Sequence, residues 1–305
     1  MLMILAMLAL GILFLSKGSD WLVDGASGVA KSLGISDFII GITLVAVGTS
    51  LPELASGIYS TYIGSYDIVV SNVIGSNIAN ITLVLGAVAI LGTIKFSWNV
   101  SKRDLVILIG SAFICFPILS TGTITNYLGI LLIIIYGAYV FDIIFEYNNV
   151  NGDKKKTRKS KINYKDFGYV LIGFIMIPIG AKLTIDAAID IATLFSISER
   201  VIGLSIVAIG TSLPELAVSI SAALKKKGAM VIGNVAGSNA FNVLGVLGIT
   251  SLIHDLPINA LSLSVDLPVM LLASLFFIFI WDRDVTRFEG IILLTFFLVY
   301  MSILF

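Results

Sequence analysis

Gly41–Leu54 reads GITLVAVGTSLPEL, and Gly203–Leu216, 162 residues later, reads GLSIVAIGTSLPEL. Each copy sets a proline and then a glutamate, Pro52–Glu53 and Pro214–Glu215, in a run that is otherwise apolar and small. Proline has no backbone N–H and clashes with the carbonyl four residues back, so a helix breaks or kinks there. Carbonyls are thereby freed around Gly48 and Thr49 in one copy and around Gly210 and Thr211 in the other. Inside lipid a freed carbonyl persists only where protein, water or an ion satisfies it. A glutamate at that depth is costly and marks a functional site. Two such elements in one chain point to a cation site.

Composition identifies the solvent. The 305 residues are 58% hydrophobic and 12% charged, with a mean hydropathy of +1.05. Soluble domains carry charge on about a quarter of their residues, so a water-soluble core is excluded. Apolar runs long enough to cross a bilayer recur throughout, and the chain reads as an all-α polytopic membrane protein. Net charge is zero, so nothing points to a nucleic-acid partner. A single cysteine, Cys115, excludes an internal disulfide, and one Cys with one His makes no zinc or redox site. The apolar first fifteen residues lack a basic start and a small-residue cleavage site, and are read as a first span.

Ten spans fit, near residues 2–22 (extending toward 30), 37–61, 68–92, 104–119, 127–146, 166–186, 200–223, 229–252, 262–280 and 288–305. One hydrophilic linker, 148–165 with its KKKTRKSK, divides them into five-span halves, 1–147 and 166–305. With that linker in the cytoplasm, alternate loops on the same side hold 16 of the 19 Lys and Arg residues. Positive charge marks the inner face, so both termini are expected outside.

The halves align at a constant offset of 162. Ile35–Gly86 matches Ile197–Gly248 at about half identity, and the register extends to Gly11/Gly173, Gly18/Gly180, Asp24/Asp186 and Asp104/Asp266. Five spans per half reverse the sense of insertion, which makes the duplication an inverted-topology repeat. In such folds broken helices from both halves meet at the midplane around an ion or substrate.

Two polar motifs recur in each half. GTSLPE gives Thr49, Ser50 and Glu53, with mates Thr211, Ser212 and Glu215. GSNxxN gives Ser76 and Asn80, with mates Ser238 and Asn242. Asn72, Ser76 and Asn80 share one face of span three, as Asn234, Ser238 and Asn242 do in span eight. Gly75, Gly86, Gly237 and Gly248 would let these helices approach their neighbours. Every candidate ligand is an oxygen, the set that hard cations take, and calcium takes six to eight. Two carboxylates match one Ca²⁺, and the same oxygens in smaller groups suit several Na⁺.

Structural roles compete for some of these residues. Thr and Ser in membrane helices often bond back to a carbonyl, a proline kink is often only a bend, and Asn stripes glue helices. Two acids at matching membrane depth, with no base in their spans, have no such explanation. Asp20 and Asp24 are expected in a local salt bridge or at the interface, and Asp186 paired with Lys182 one turn away. Asp104 and Asp266 read as helix-start acids, and His254, in an outer loop with Asp255, as solvated.

At GTSLPE and GSNxxN, and in its ten spans and inverted halves, the sequence resembles the sodium/calcium exchanger family in its short prokaryotic form. The resemblance covers essentially the whole chain, with alpha-repeats at 35–86 and 197–248. It implies alternating access, with Glu53 and Glu215 binding calcium and also serving sodium. It further implies that Thr49, Thr211 and the carbonyls of Ala46 and Ala208 complete those sites. Ser50, Ser212, Ser76 and Ser238 would serve flanking sodium sites, and Asn80 and Asn242 the centre. Spans one and six would slide as the gate. The expected partners are Ca²⁺, Na⁺ and the bilayer of the cell membrane, with no resident cofactor and a monomer as the working unit. The short linker leaves no room for the large calcium-sensing domains of animal exchangers. Asn242 stands where potassium-dependent relatives carry Asp, which argues against potassium co-transport. The proton-coupled branch reads GNxxE where this chain reads GTSLPE, so Ca²⁺/H⁺ exchange by the same two glutamates is the alternative, and a passive cation channel a further one.

Overall fold

The structure, a computed structural model, describes residues 2–92, 110, 113, 121–151, 163–195, 208–260, 262–280 and 283–304. All of span four but residues 110 and 113, together with Cys115, Asp104, the start of span seven and the basic KKKTRKSK run, lies outside the described residues. The remaining spans are all helical. Span one is Leu2–Leu33 and span six Tyr164–Leu194. Spans three, five, eight and ten are Tyr66–Leu91, Asn126–Asn151, Gly228–Ile253 and Arg287–Leu304. Span nine is a π turn, Ser262–Asp266, followed by Leu267–Ile280.

Spans one and six exceed their expected ends by about a turn or more. At about 1.5 Å per residue they reach roughly 46–48 Å, more than a hydrocarbon core of roughly 30 Å requires. Past its expected end span one still buries Val23, Ala26, Val29 and Ala30, so packing carries the helix on despite Gly25 and Gly28.

Burial separates an inner set of helices from an outer one. In the most apolar stretch of span eight every residue is buried, and 78% are in span three, against 22% in spans one and five. The outer helices turn Ile12, Ile134, Phe141, Ile172 and Leu298 outward, which suits hydrocarbon as surroundings. Spans two and eight touch backbone to backbone: a Cβ added at Gly41 would lie 2.8 Å from the Met230 carbonyl oxygen, and one at Gly233 2.9 Å from the Ile42 amide. Gly86 packs on span ten and Gly248 on span five, as expected. A Cβ at Gly75 would meet no described atom; its expected neighbour Leu204, the mate of the Ile42 that touches Gly237, lies outside the described residues.

Spans one and six cross at glycines. A Cβ at Gly180 would sit 2.8 Å from the Gly11 carbonyl, and one at Gly173 2.8 Å from the Gly18 carbonyl. Because Gly11 and Gly173 are mates, as are Gly18 and Gly180, the two contacts exchange under the repeat. The crossing therefore lies on the pseudo-twofold axis. One strand pair, Thr123–Ile124 with Leu256–Pro257, is the sole departure from helix among the described elements. It joins the loop before span five to the loop after span eight, so these two loops share one side of the membrane, as the span count requires.

The polar contacts outside the core correct the local half of one expectation, for two acids that are part-exposed as an interfacial position would have them. Asp20 and Asp24 do not pair locally: Lys225 Nζ lies 3.3 Å from Asp20 Oδ1 and 2.9 Å from Asp24 Oδ2, across the fold. Span one packs against the end of span seven, and that brings the lysine within reach. Lys182 does pair with Asp186, at 3.7 Å. Asp266, expected to start its helix, instead closes the π turn four residues in, and accepts a 3.0 Å hydrogen bond from Tyr300. His254 is exposed, and its ring stacks on Tyr66 at 4.5 Å.

Candidate functional site

The proline breaks form as the sequence demands. Span two runs Asp37–Thr49, turns at Ser50 and resumes as Leu51–Tyr62, bent by 40°. Pro52 stands in the first turn of the resumed helix and has no N–H for the Gly48 carbonyl. Span seven repeats this with Ala208–Thr211 and Leu213–Leu224. Ser50 lies at φ −91°, ψ 8° and Ser212 at φ −91°, ψ 5°, so the two breaks share one backbone geometry. Each glutamate falls in the first turn of a resumed helix. Unpaired N–H groups and the positive end of the helix dipole favour an anion there. Phe174 and Ile185 of span six occupy the space that side chains at Gly48 and Gly210 would need.

Glu53 and Glu215 are fully buried. Ser50 Oγ donates to Glu215 Oε1 at 2.8 Å, across the two halves. Ser238 Oγ lies 3.5 Å from the same oxygen and 3.4 Å from the Ala46 carbonyl. Thr49 Oγ1 is 3.2 Å from both the Ala46 carbonyl and Asn234 Oδ1. Asn234 is held in turn by Ser219 at 3.0 Å. The structure thus brings Thr49, Ser50, Ala46, Ser238 and Glu215 together. Thr211 and Ala208 lie on the matching segment of span seven.

The surroundings of Glu53 differ. Ser76 sits beside its carboxylate without closing a hydrogen bond. Both Glu53 oxygens, Ser76 Oγ, Ser212 Oγ, Glu215 Oε2, Asn80 Oδ1 and Asn242 Oδ1 are buried with no hydrogen-bond partner. Each such atom costs about 1–3 kcal/mol, and charged ones more. These seven oxygens belong to six residues that the two repeated motifs single out. Two carboxylates, two hydroxyls and two amide carbonyls, buried without donors, are oxygen donors of the kind that hard cations take. No third acid joins the two glutamates: among the described residues there is no group of three His, Cys, Asp or Glu.

Sequence reasoning left four participants without a role. Asn77 and Asn239 lie inside the quoted GSN triplets, yet nothing in one strand of sequence separates them from helix glue. They bond across the halves, Asn77 Nδ2 to the Asn239 carbonyl at 3.2 Å and Asn239 Nδ2 to the Asn77 carbonyl at 3.3 Å. Asn234 was placed on the polar face without a ligand part, and Ser219 was not singled out; the mate of Ser219 is Gly57, so the repeat itself hides it.

A family model described as Sodium/calcium exchanger protein matches residues 3–145 and 165–305. The chain is 36% identical to Sodium/calcium exchanger MaX1 of Methanosarcina acetivorans, over 98% of this chain and 97% of that one. It is 32% identical to Inner membrane protein YrbG of Escherichia coli, over 100% and 98%. A solved structure of the sodium-calcium exchanger NCX_Mj, soaked with zero Na⁺ and Ca²⁺, superposes with a TM-score of 0.85 at 34% identity, covering both chains fully.

Proposed function

The chain belongs to the sodium/calcium exchanger family, and from that premise we propose that Glu53 and Glu215 are the shared ligands of a Na⁺/Ca²⁺ antiporter working by alternating access. The observation that carries the site is the set of seven buried oxygens without donors, contributed by both halves of an inverted repeat. A single Ca²⁺ answers the two carboxylates. Several Na⁺ use the same oxygens in smaller groups, with Ser50 and Ser238 on one flank and Ser212 and Ser76 on the other. Thr49, Thr211 and the Ala46 and Ala208 carbonyls complete the shells, and Asn80 and Asn242 face the centre. Ions that compete for the same carboxylates cannot occupy the site together, and this exclusion couples the two fluxes.

The protein sits in the cell membrane as a monomer, with both termini outside and the basic linker in the cytoplasm. The excess of Lys and Arg in alternate loops supports that orientation. Transport needs no resident cofactor, since the transported ions are the only metals the chemistry requires. Proton coupling is less well supported, because the motif reads GTSLPE and two of the relatives, MaX1 and NCX_Mj, are named as sodium/calcium exchangers.

The test is ⁴⁵Ca²⁺ uptake into Na⁺-loaded proteoliposomes diluted into Na⁺-free buffer at equal pH, beside a sample carrying only a pH gradient. Uptake in the first sample alone is expected. Uptake driven only by the pH gradient would make the two glutamates proton carriers, and uptake with neither gradient would indicate a channel.

A further inference from the structure

Asn80 and Asn242 can serve a cation only if their amides point the right way. An amide offers a carbonyl oxygen on one side and an NH₂ on the other, and the NH₂ would repel the ion. The hydrogen-bond network fixes the choice. A backbone carbonyl only accepts, so the atom of Asn77 that faces the Asn239 carbonyl at 3.2 Å must be its NH₂. Asn77 Oδ1 is then the atom that meets Asn242 at 3.2 Å, and it needs a donor, so Asn242 turns its NH₂ to Asn77. The remaining atom of Asn242 is Oδ1, buried and without a partner. The same logic starts from the Asn77 carbonyl, passes through Asn239 and reaches Asn80 Nδ2 at 3.1 Å, leaving Asn80 Oδ1 free.

The reciprocal pair lies beside a change of helix type. Span three changes from α to π at Asn80 and span eight at Phe241, directly after the reciprocal pair. A π turn widens the ladder, and its carbonyls lose the regular α register.

We infer that Asn77 and Asn239 are positioning residues that set the amide orientation of Asn242 and Asn80, each acting across the repeat on the other half. This rests on the reading of the Glu53/Glu215 centre as the ion site. Neither residue touches the ion. Their part is to present oxygen, not NH₂, at the centre of a site that has amides where carboxylates would also fit.

Chemistry supplies a discriminating test, because a carboxylate at position 242 shows an oxygen in either orientation and needs no guide. Ca²⁺ KM and Vmax would be measured by Na⁺-driven uptake for Asn77→Leu, Asn242→Asp, the double variant, and Glu53→Gln. Asn77→Leu is expected to raise the Ca²⁺ KM by about tenfold, the cost of one misdirected ligand. In the Asn242→Asp background the same change is expected to move KM by less than about threefold, the mark of coupled sites. A purely structural role predicts equal losses in both backgrounds, and that result, or a silent Asn77→Leu, would overturn the inference. The cycle built on Asn239→Leu and Asn80→Asp repeats the test from the other half should Asn77→Leu fail to fold. An active Glu53→Gln would instead sink the site reading itself. An inactive one beside a silent Asn77→Leu would remove only this inference.

Discussion

At Glu53 both carboxylate oxygens are enclosed without a donor, and at Glu215 one is. Leaving a charge buried with nothing to answer it costs about 3–5 kcal/mol. The chain therefore holds its site at the expense of its own stability, which leads to paired expectations. Glu53→Gln and Glu215→Gln each lower Na⁺-driven Ca²⁺ uptake by about a hundredfold or more, since a neutral amide cannot answer a divalent ion. In chelator, free of Na⁺, Glu53→Gln unfolds at a higher temperature than the wild type, by about 1–3 kcal/mol of relieved charge burial. Saturating Ca²⁺, at about a hundred times its Kd, stabilises the wild type by about 2.7 kcal/mol and leaves the variant unmoved. Thermal unfolding in detergent, with and without Ca²⁺, checks both. A variant less stable than the wild type in chelator would show that the carboxylate is satisfied by the protein.

At the scale of elements the proline break is what sets a glutamate in the first turn of a new helix. Pro52→Ala supplies an N–H opposite the Gly48 carbonyl, so that span two can run on as one helix. The 40° bend should straighten, and exchange should fall by about tenfold or more although the protein becomes no less stable. Helix content by circular dichroism, read beside flux, separates this from misfolding. These breaks were legible because Pro52 and Pro214 announce themselves in apolar sequence and recur at one offset. The π turns were not, since a single extra residue barely shifts the 3.6-residue period. A signal did exist: Gly41–Val45 reads GITLV and Asn80–Val84 reads NITLV. Thr43 and Thr82 each donate, at 2.6 Å, to the carbonyl four residues back. Threonine thereby takes a carbonyl that the wider turn leaves over. The contact of Lys225 with Asp20 and Asp24 was also hidden, because it spans some two hundred residues and depends on how span one is laid against the core. Asn77 stood in plain view, yet its orienting part depends on a partner 162 residues away.

The whole molecule is two copies of one plan, and the contacts at its axis exchange under the repeat: Gly11 with Gly180 and Gly18 with Gly173, and Asn77 with Asn239. Away from the axis the symmetry is broken. Lys225 grips Asp20 and Asp24 of span one, and Lys227 reaches Ser27. Their repeat mates are Ile63 and Ser65, which cannot grip span six in return. A charge clasp therefore ties span one to the loop between spans seven and eight on a single side. A Lys225→Met and Asp24→Asn double-mutant cycle should give about 0.5–1 kcal/mol of coupling, weakened by salt, where the exposed Lys182–Asp186 pair gives about 0.5 kcal/mol or less. A clasp on one side makes the two directions of an inverted repeat unequal in energy. The central claim, that one set of oxygens serves both ions, has a direct measurement: equilibrium ⁴⁵Ca²⁺ binding to the purified protein, titrated with Na⁺ at constant ionic strength and pH. The account predicts that Na⁺ displaces all bound Ca²⁺, steeply because several Na⁺ replace one ion, and that Glu53→Gln binds none. Calcium that stays bound at saturating Na⁺, or binds undiminished to Glu53→Gln, would contradict it.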